Sequence, residues 1–172
     1  MTKSEINPMP QFFDRYINQV EEESLMEGLE NALQILKQID IEKLKSIGDK
    51  VYAKGKWTVK DIIQHIIDNE RIMAYRALRF SRNDKTELPG YDEELFGKNT
   101  TANSRTIENL IEELITVRVS TLFLFKSFDS KMILNQSICY GQTISALALG
   151  FVIVGHQKHH LNVIKEKYES LI

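Results

Sequence analysis

Residues 58–81 read TVKDIIQHIIDNERIMAYRALRFS, and this stretch decides the fold. Ile62, Ile66, Met73, Ala77 and Phe80 recur at helical intervals. That spacing lines one face of an α-helix, whereas a strand would alternate its apolar residues at every second position. Thr58 with Asp61 makes an N-terminal cap, and Trp57 just before it is placed to staple against Ile62. The acidic start and the basic end, with Arg76, Arg79 and Arg82, suit the two poles of the helix dipole. The helix therefore runs to about Ser81 and carries His65 among its isoleucines.

Working outward, the same period recurs. Upstream, Ser24 and Glu27 fit a capping box, followed by Leu25, Leu29, Leu33, Leu36 and Ile39 on one stripe. The spacing predicts a first major helix from about residue 24 to 38. Ahead of it, Phe12, Phe13, Tyr16, Ile17 and Val20 are amphipathic and read as a short helix or a docked arm within residues 1–22. Residues 40–56, with Gly48, Asp49 and Gly55, read as a connection with one helical turn. Residues 82–103 form the one long irregular segment, and loops of that length in compact domains are often functional. Either Ser104 or Thr106 caps a third helix carrying Leu110, Leu114, Val117, Thr121, Leu124 and Phe128. Gly141 punctuates the next connection, and a fourth helix starts near Thr143 to Ser145 and reaches about Tyr168. With only three prolines and eight glycines in 172 residues, the reading is all-α: a single domain, its four-helix bundle spanning about 24–168.

Composition narrows the function. A formal net charge of -2 gives no basic excess for a general nucleic-acid surface. The lone Cys139 cannot close an intrachain disulfide and reads as a buried small hydrophobe. The N-terminus lacks the apolar run of a signal peptide, and the run from Ile144 to Val154 is too short to cross a bilayer. These features lead to the expectation of a cytoplasmic protein with no membrane partner.

The four histidines are His65, His156, His159 and His160. Side chains at i and i+4 share a helical face, so His156 and His160 converge, on the stripe continued from Leu149 and Ile153. Two buried imidazoles are costly unless each ring nitrogen finds a partner. The residues alone leave two readings open: hydrogen-bonded core histidines, or a shared cation with His65 as third ligand and a fourth position free, as a catalytic site requires. His159 sits at the rim, where an outer-shell or proton-transfer role stands beside a solvated one. Asp68 and Glu70 are the nearest acids to His65, placed to orient a ligand or act as a base, with an ordinary salt bridge as the alternative for Glu70. Asn69, at i+4 from His65, faces nearly the same way. Arg76, Arg79 and Arg118 read either as anion-binding groups or as structural ion pairs, and Tyr75, Tyr91 and Tyr140 as pocket lining or core.

Trp57-Thr58, then His65, then the His156/His160 pair, in that order, resemble the pattern of the DinB-like superfamily of metal-binding four-helix proteins. Glu70, the run Ala77 to Phe80, Leu88 to Glu93, Arg118 to Thr121 and Gly155 extend the likeness from about Phe12 to Tyr168. The resemblance implies an up-down-down-up bundle with a long crossover between helices two and three, and often a homodimer. It implies that His65, His156 and His160 hold a divalent ion, nickel or zinc. The superfamily includes proposed metal-dependent hydrolases and thiol-dependent S-transferases. The expected function is thus metal-dependent hydrolysis of a small molecule, or transfer using a low-molecular-weight thiol, with His159, Asp68 and Glu70 as candidate proton-handling residues. The contrasting readings are a non-catalytic metal-binding or stress-associated helical dimer and a purely structural bundle.

Overall fold

The computed structural model describes residues 1–172. Its helices are α1 (Asp14–Ile17), α2 (Leu25–Lys37), α3 (Ile41–Ile47), α4 (Val59–Ser81), α5 (Glu93–Lys98), α6 (Ile107–Lys126) and α7 (Ala146–Val163). The caps fall where the sequence places them. Ser24 accepts from the Glu27 N–H while Glu27 reaches back to Ser24, and Thr58 and Asp61 do the same at α4. Of the two candidates for the third long helix, Thr106 is the cap, accepting from the Asn109 N–H. Ser145 caps α7.

The four long helices are α2, α4, α6 and α7. Both α2 and α4 pack on α6 and on α7, so α2 lies diagonally across from α4 and α6 from α7, while the consecutive pair α4 and α6 are neighbours. The most buried of the four is α7. Every residue from Ala146 to Gln157 is buried, so the helix is apolar on all sides as far as Gly155 and has no single inward stripe there. What covers its outer side is the N-terminal arm, which packs on α7 through α1. Contact is close enough that a β-carbon at Gly155 would overlap the backbone carbonyl of Tyr16. Glycine is the side chain that lets the arm lie flat on the helix.

The connections hold more structure than periodicity reveals. Residues 136–145 form a hairpin, β1 (Gln136–Cys139) against β2 (Gln142–Ser145), antiparallel with Cys139 opposite Gln142. Its two-residue turn puts Tyr140 at φ 56° and Gly141 at φ 71°, the double left-handed form that matches strand twist. Strands of four residues offer too few alternations to stand out beside long helices. The long segment before α6 is anchored on this hairpin. Leu88 N–H donates to the Ile138 carbonyl (3.0 Å), and Tyr140 N–H donates to the Leu88 carbonyl (3.2 Å). From there Asp92 caps α5 by accepting from the Leu95 N–H at 2.9 Å.

Between α4 and α6, Arg118 donates from Nε and Nη2 to the two Glu70 carboxylate oxygens at 2.8 and 2.9 Å. Both side chains are essentially inaccessible, at 0% and 2%. Each charge neutralises the other in a medium that would otherwise expel both. Glu70→Ala is expected to lower unfolding free energy by about 3–5 kcal/mol, because it strands a buried guanidinium. Glu70→Leu combined with Arg118→Met should recover most of that loss in urea denaturation. If the double variant is no more stable than the single one, the penalty does not come from the stranded charge.

Candidate metal centre

His65 comes from the second turn of α4, and His156 and His160 from successive turns of α7, the helix that packs most closely against it. The ring centroids form a triangle with sides of 4.7, 4.7 and 4.4 Å. His156 Nε2 lies 2.9 Å from His65 Nε2 and 3.1 Å from His160 Nε2, and the ligand atoms of all three lie within 4.8 Å of one another. One Nε2 has either a single lone pair or a single N–H, so His156 can satisfy one of these approaches and not both. A cation accepting three lone pairs satisfies all of them. Two nitrogens bound to one tetrahedral ion stand about 3.3 Å apart, close to what is found, so the donor set fits a divalent metal.

Electrostatics keep those lone pairs free. Burial holds the His65 pKa down to about 4, with the nearby His159 adding to the effect. His160 is lowered to about 3 by burial and by the positive charges His65, His159 and Arg15 would oppose to it. His156 is held well below its ordinary value, again chiefly by burial. All three are therefore neutral at physiological pH, as ligands must be.

Packing fixes the rings. The Trp57 indole leans on His65 with centroids 4.8 Å apart, a contact made by the residue just outside the α4 cap. Tyr16 of the arm meets His156 edge-on at 5.1 Å and His159 at 5.5 Å. Facing the cluster from the crossover is Glu93, the first residue of α5, with Oε2 4.0 Å from His65 Nε2. Since His65 is neutral, this approach is a carboxylate held over the cluster, not an ion pair.

Two clefts open on this point. One, of about 550 Å³, reaches His156 and runs beside Asn69, Met73 and Arg76. The other, of about 390 Å³, reaches His65, His159 and His160 between Trp57 and Arg15. Tyr16, Glu93 and Glu94 line both, so the arm and the start of α5 form the partition.

The other residues singled out from sequence separate into distinct places. His159 stands at the rim, 3.5 Å from the Gln19 amide, and burial and Arg15 lower its pKa. Asp68 accepts from Gln64 at 2.9 Å and lines a shallow depression that contains none of the histidines. Glu70 points to α6 and is engaged by Arg118. Arg79 pairs with Asp84, while Arg76 faces the larger cleft. Tyr91 and Tyr140 line that cleft too, whereas Tyr75 is exposed and bonded to Arg79. The carboxylate nearest the histidines, Glu93, lies in the segment that carries no periodic signal. The only local hint is Asp92 as a cap followed by two acids, and that motif gives no tertiary position.

The chain is similar to known proteins in sequence and in fold. A proposed metal-dependent hydrolase of Oceanobacillus iheyensis is 25% identical over 156 residues, covering 80% of this chain and 85% of its own. In fold, the chain is similar to YfiT from Bacillus subtilis, described as a proposed metal-dependent hydrolase with an unusual four-helix bundle topology. The TM-score is 0.66 at 18% identity, covering 92% of this chain and 87% of that one. The DinB superfamily profile matches residues 25–164, which take in all four long helices and the three converging histidines. The chain belongs to the DinB superfamily.

Proposed function

We propose that His65, His156 and His160 hold one divalent ion, nickel or zinc, and that the protein is a metal-dependent hydrolase of a small molecule. The observation that carries this reading is three neutral Nε2 atoms converging beneath a carboxylate at the junction of two clefts. Neutral imidazole suits either metal. When bound, such an ion polarises an electrophile and acidifies a water or thiol beside it.

The chain's own residues do the rest. Glu93 takes the proton from the incoming nucleophile, a role its 4.0 Å distance from His65 supports. His159, at the rim and partly accessible, relays that proton to solvent. Trp57 and Tyr16 hold the ligand rings in place and keep water from their flanks. Glu70 and Asp68 act at a distance, through the α4–α6 pair and through Gln64. A second reading is transfer from a low-molecular-weight thiol, favoured by the two clefts, since each can deliver one reactant to the same point. On that reading Glu93 deprotonates the thiol.

Three outcomes follow for measurement. Untagged protein grown with added metal should carry about one ion per chain by elemental analysis, and His65→Ala and His156→Ala below about one-fifth of that. An unsubstituted protein below one-fifth would falsify the three-ligand site. Once a panel of esters, amides and thiol acceptors identifies a substrate, Glu93→Gln should cut kcat by about 10²–10⁴ with metal content unchanged. Equal losses for Asp68→Asn would shift the base to Asp68.

The third outcome concerns pH. Folded His65 and His160 titrate near 4 and 3, below the ordinary 6.5 of an unfolded chain. The unfolded state therefore binds more protons as pH falls through 6.5, and this contribution to stability is full above that pH and lost on the way down. Metal-free protein should show a urea midpoint that is level above pH 7 and declines from about 6.5 to about 5, before most carboxylates titrate. His65→Gln should flatten part of that decline; an unchanged slope would mean His65 is not the group responsible.

A further inference from the structure

The larger cleft contains a charge that no carboxylate in the protein answers. Arg76 is 4% exposed, and its hydrogen bonds go to the Met73 sulfur at 3.6 Å and the Pro89 carbonyl at 2.8 Å. Neither partner is charged. Arg71, Arg79, Arg105 and Arg118 each pair with a carboxylate. A buried guanidinium with neutral partners only is costly, and its remaining N–H groups form a fork suited to a carboxylate.

A second unanswered group lies on the same wall. Asn69 is 6% exposed and donates from Nδ2 to the Tyr91 hydroxyl at 2.8 Å, while its Oδ1 has no partner. An amide flip would free the NH₂ instead, so in either orientation one polar atom waits for a ligand. His65, Asn69, Met73 and Arg76 share a face of α4. At a rise of about 1.5 Å per residue, the Arg76 backbone lies about 16 Å beyond His65 along the axis. The Arg76 side chain bends back over Met73, leaving a span on the order of 10 Å to the histidines. Phe13, Met73 and Val152 make the middle of the cleft apolar, and Glu93 and Glu94 stand at its junction with the metal centre.

We propose that this cleft binds an elongated small molecule with a terminal carboxylate. The carboxylate sits on Arg76, a polar group midway meets Asn69, and the reactive end reaches the three histidines. Arg76 and its donor fork stand at the end of the cleft away from the histidines, which sets the direction of binding. This assignment rests on the metal-site reading for what happens at the reactive end, and on Arg76 and Asn69 for the tail.

The test uses suberic acid monohydroxamate, whose hydroxamate seeks a metal and whose far end is a carboxylate, beside the same molecule with a terminal amide. Affinities are measured by calorimetry on the full chain, zinc-loaded and metal-stripped. The acid should bind the zinc-loaded protein about tenfold or more tightly than the amide. Arg76→Met should bring the two together without weakening the amide, and Arg76→Lys should keep most of the preference. Because the acid–amide ratio is read first on the unsubstituted protein, an unstable Arg76→Met leaves the ratio and the lysine variant to decide. Equal binding of acid and amide, or a preference that survives in Arg76→Met, overturns the carboxylate site. If zinc-loaded and stripped protein bind both probes alike, the metal reading fails instead, and the acid–amide ratio still reports on Arg76.

Discussion

The constraint on which the structure turns is that three imidazoles must lie side by side away from water without becoming charged. Neutrality follows from desolvation, and desolvation depends on covering α7 from Ala146 to Gln157, beyond which His160 is half-buried at the edge of a cleft. The bundle alone leaves that helix with one open flank. The arm supplies the missing wall, and it reaches the helix because Gly155 has no side chain to hold it off. The residue next to the first α7 ligand thus determines how dry that ligand is. Tyr16, carried in on the same arm, touches His156 and closes part of both clefts. A docking contact at the chain's N-terminal side and the chemistry at its C-terminal side are one packing problem.

Much of this was legible in the residues. The caps at Ser24, Thr58 and Ser145 are local hydrogen-bonding devices, and local devices survive in any tertiary setting. The i,i+4 pair on α7 has its convergence built into helix geometry, so only the third ligand needed the fold. Less visible was whatever depends on contacts far apart in sequence. Glu70 and Asp68 sit near His65 along the chain, yet helix rotation turns one to Arg118 and the other to Gln64. Glu93 reaches the cluster because the Leu88 segment is laid against a four-residue hairpin whose pairing no helical period announces.

Two buried arginines show how the same residue type serves opposite ends. Arg118 meets a carboxylate supplied by the next helix, so its charge is consumed in holding α4 to α6. Arg76, on the other side of α4, meets a thioether, a carbonyl and, at 5.9 Å, the Tyr91 ring, with no carboxylate. The first arrangement is neutralised within the protein, although Arg118 Nη1 is left without a partner. The second leaves an electrostatic demand in a cavity, and a molecule from outside can meet it. One helix therefore carries a structural pair on one face, and a candidate metal ligand, His65, with a cation that has no carboxylate partner on another.

The anchoring of the crossover has a consequence for how such a protein can change over time. The ligands stand on α4 and α7, whose packing tolerates little alteration, while Glu93 stands on a segment tied to the hairpin by two backbone hydrogen bonds. Backbone bonds do not depend on side-chain identity. On the reading proposed above, a substitution at Glu93 would therefore alter the proton acceptor and leave the three histidines undisturbed, whereas Gly90, packed against Tyr140, and Asp92, the cap of α5, are held in place by their contacts. Three shared histidines would then not by themselves specify a shared reaction; the residue that stands over them would.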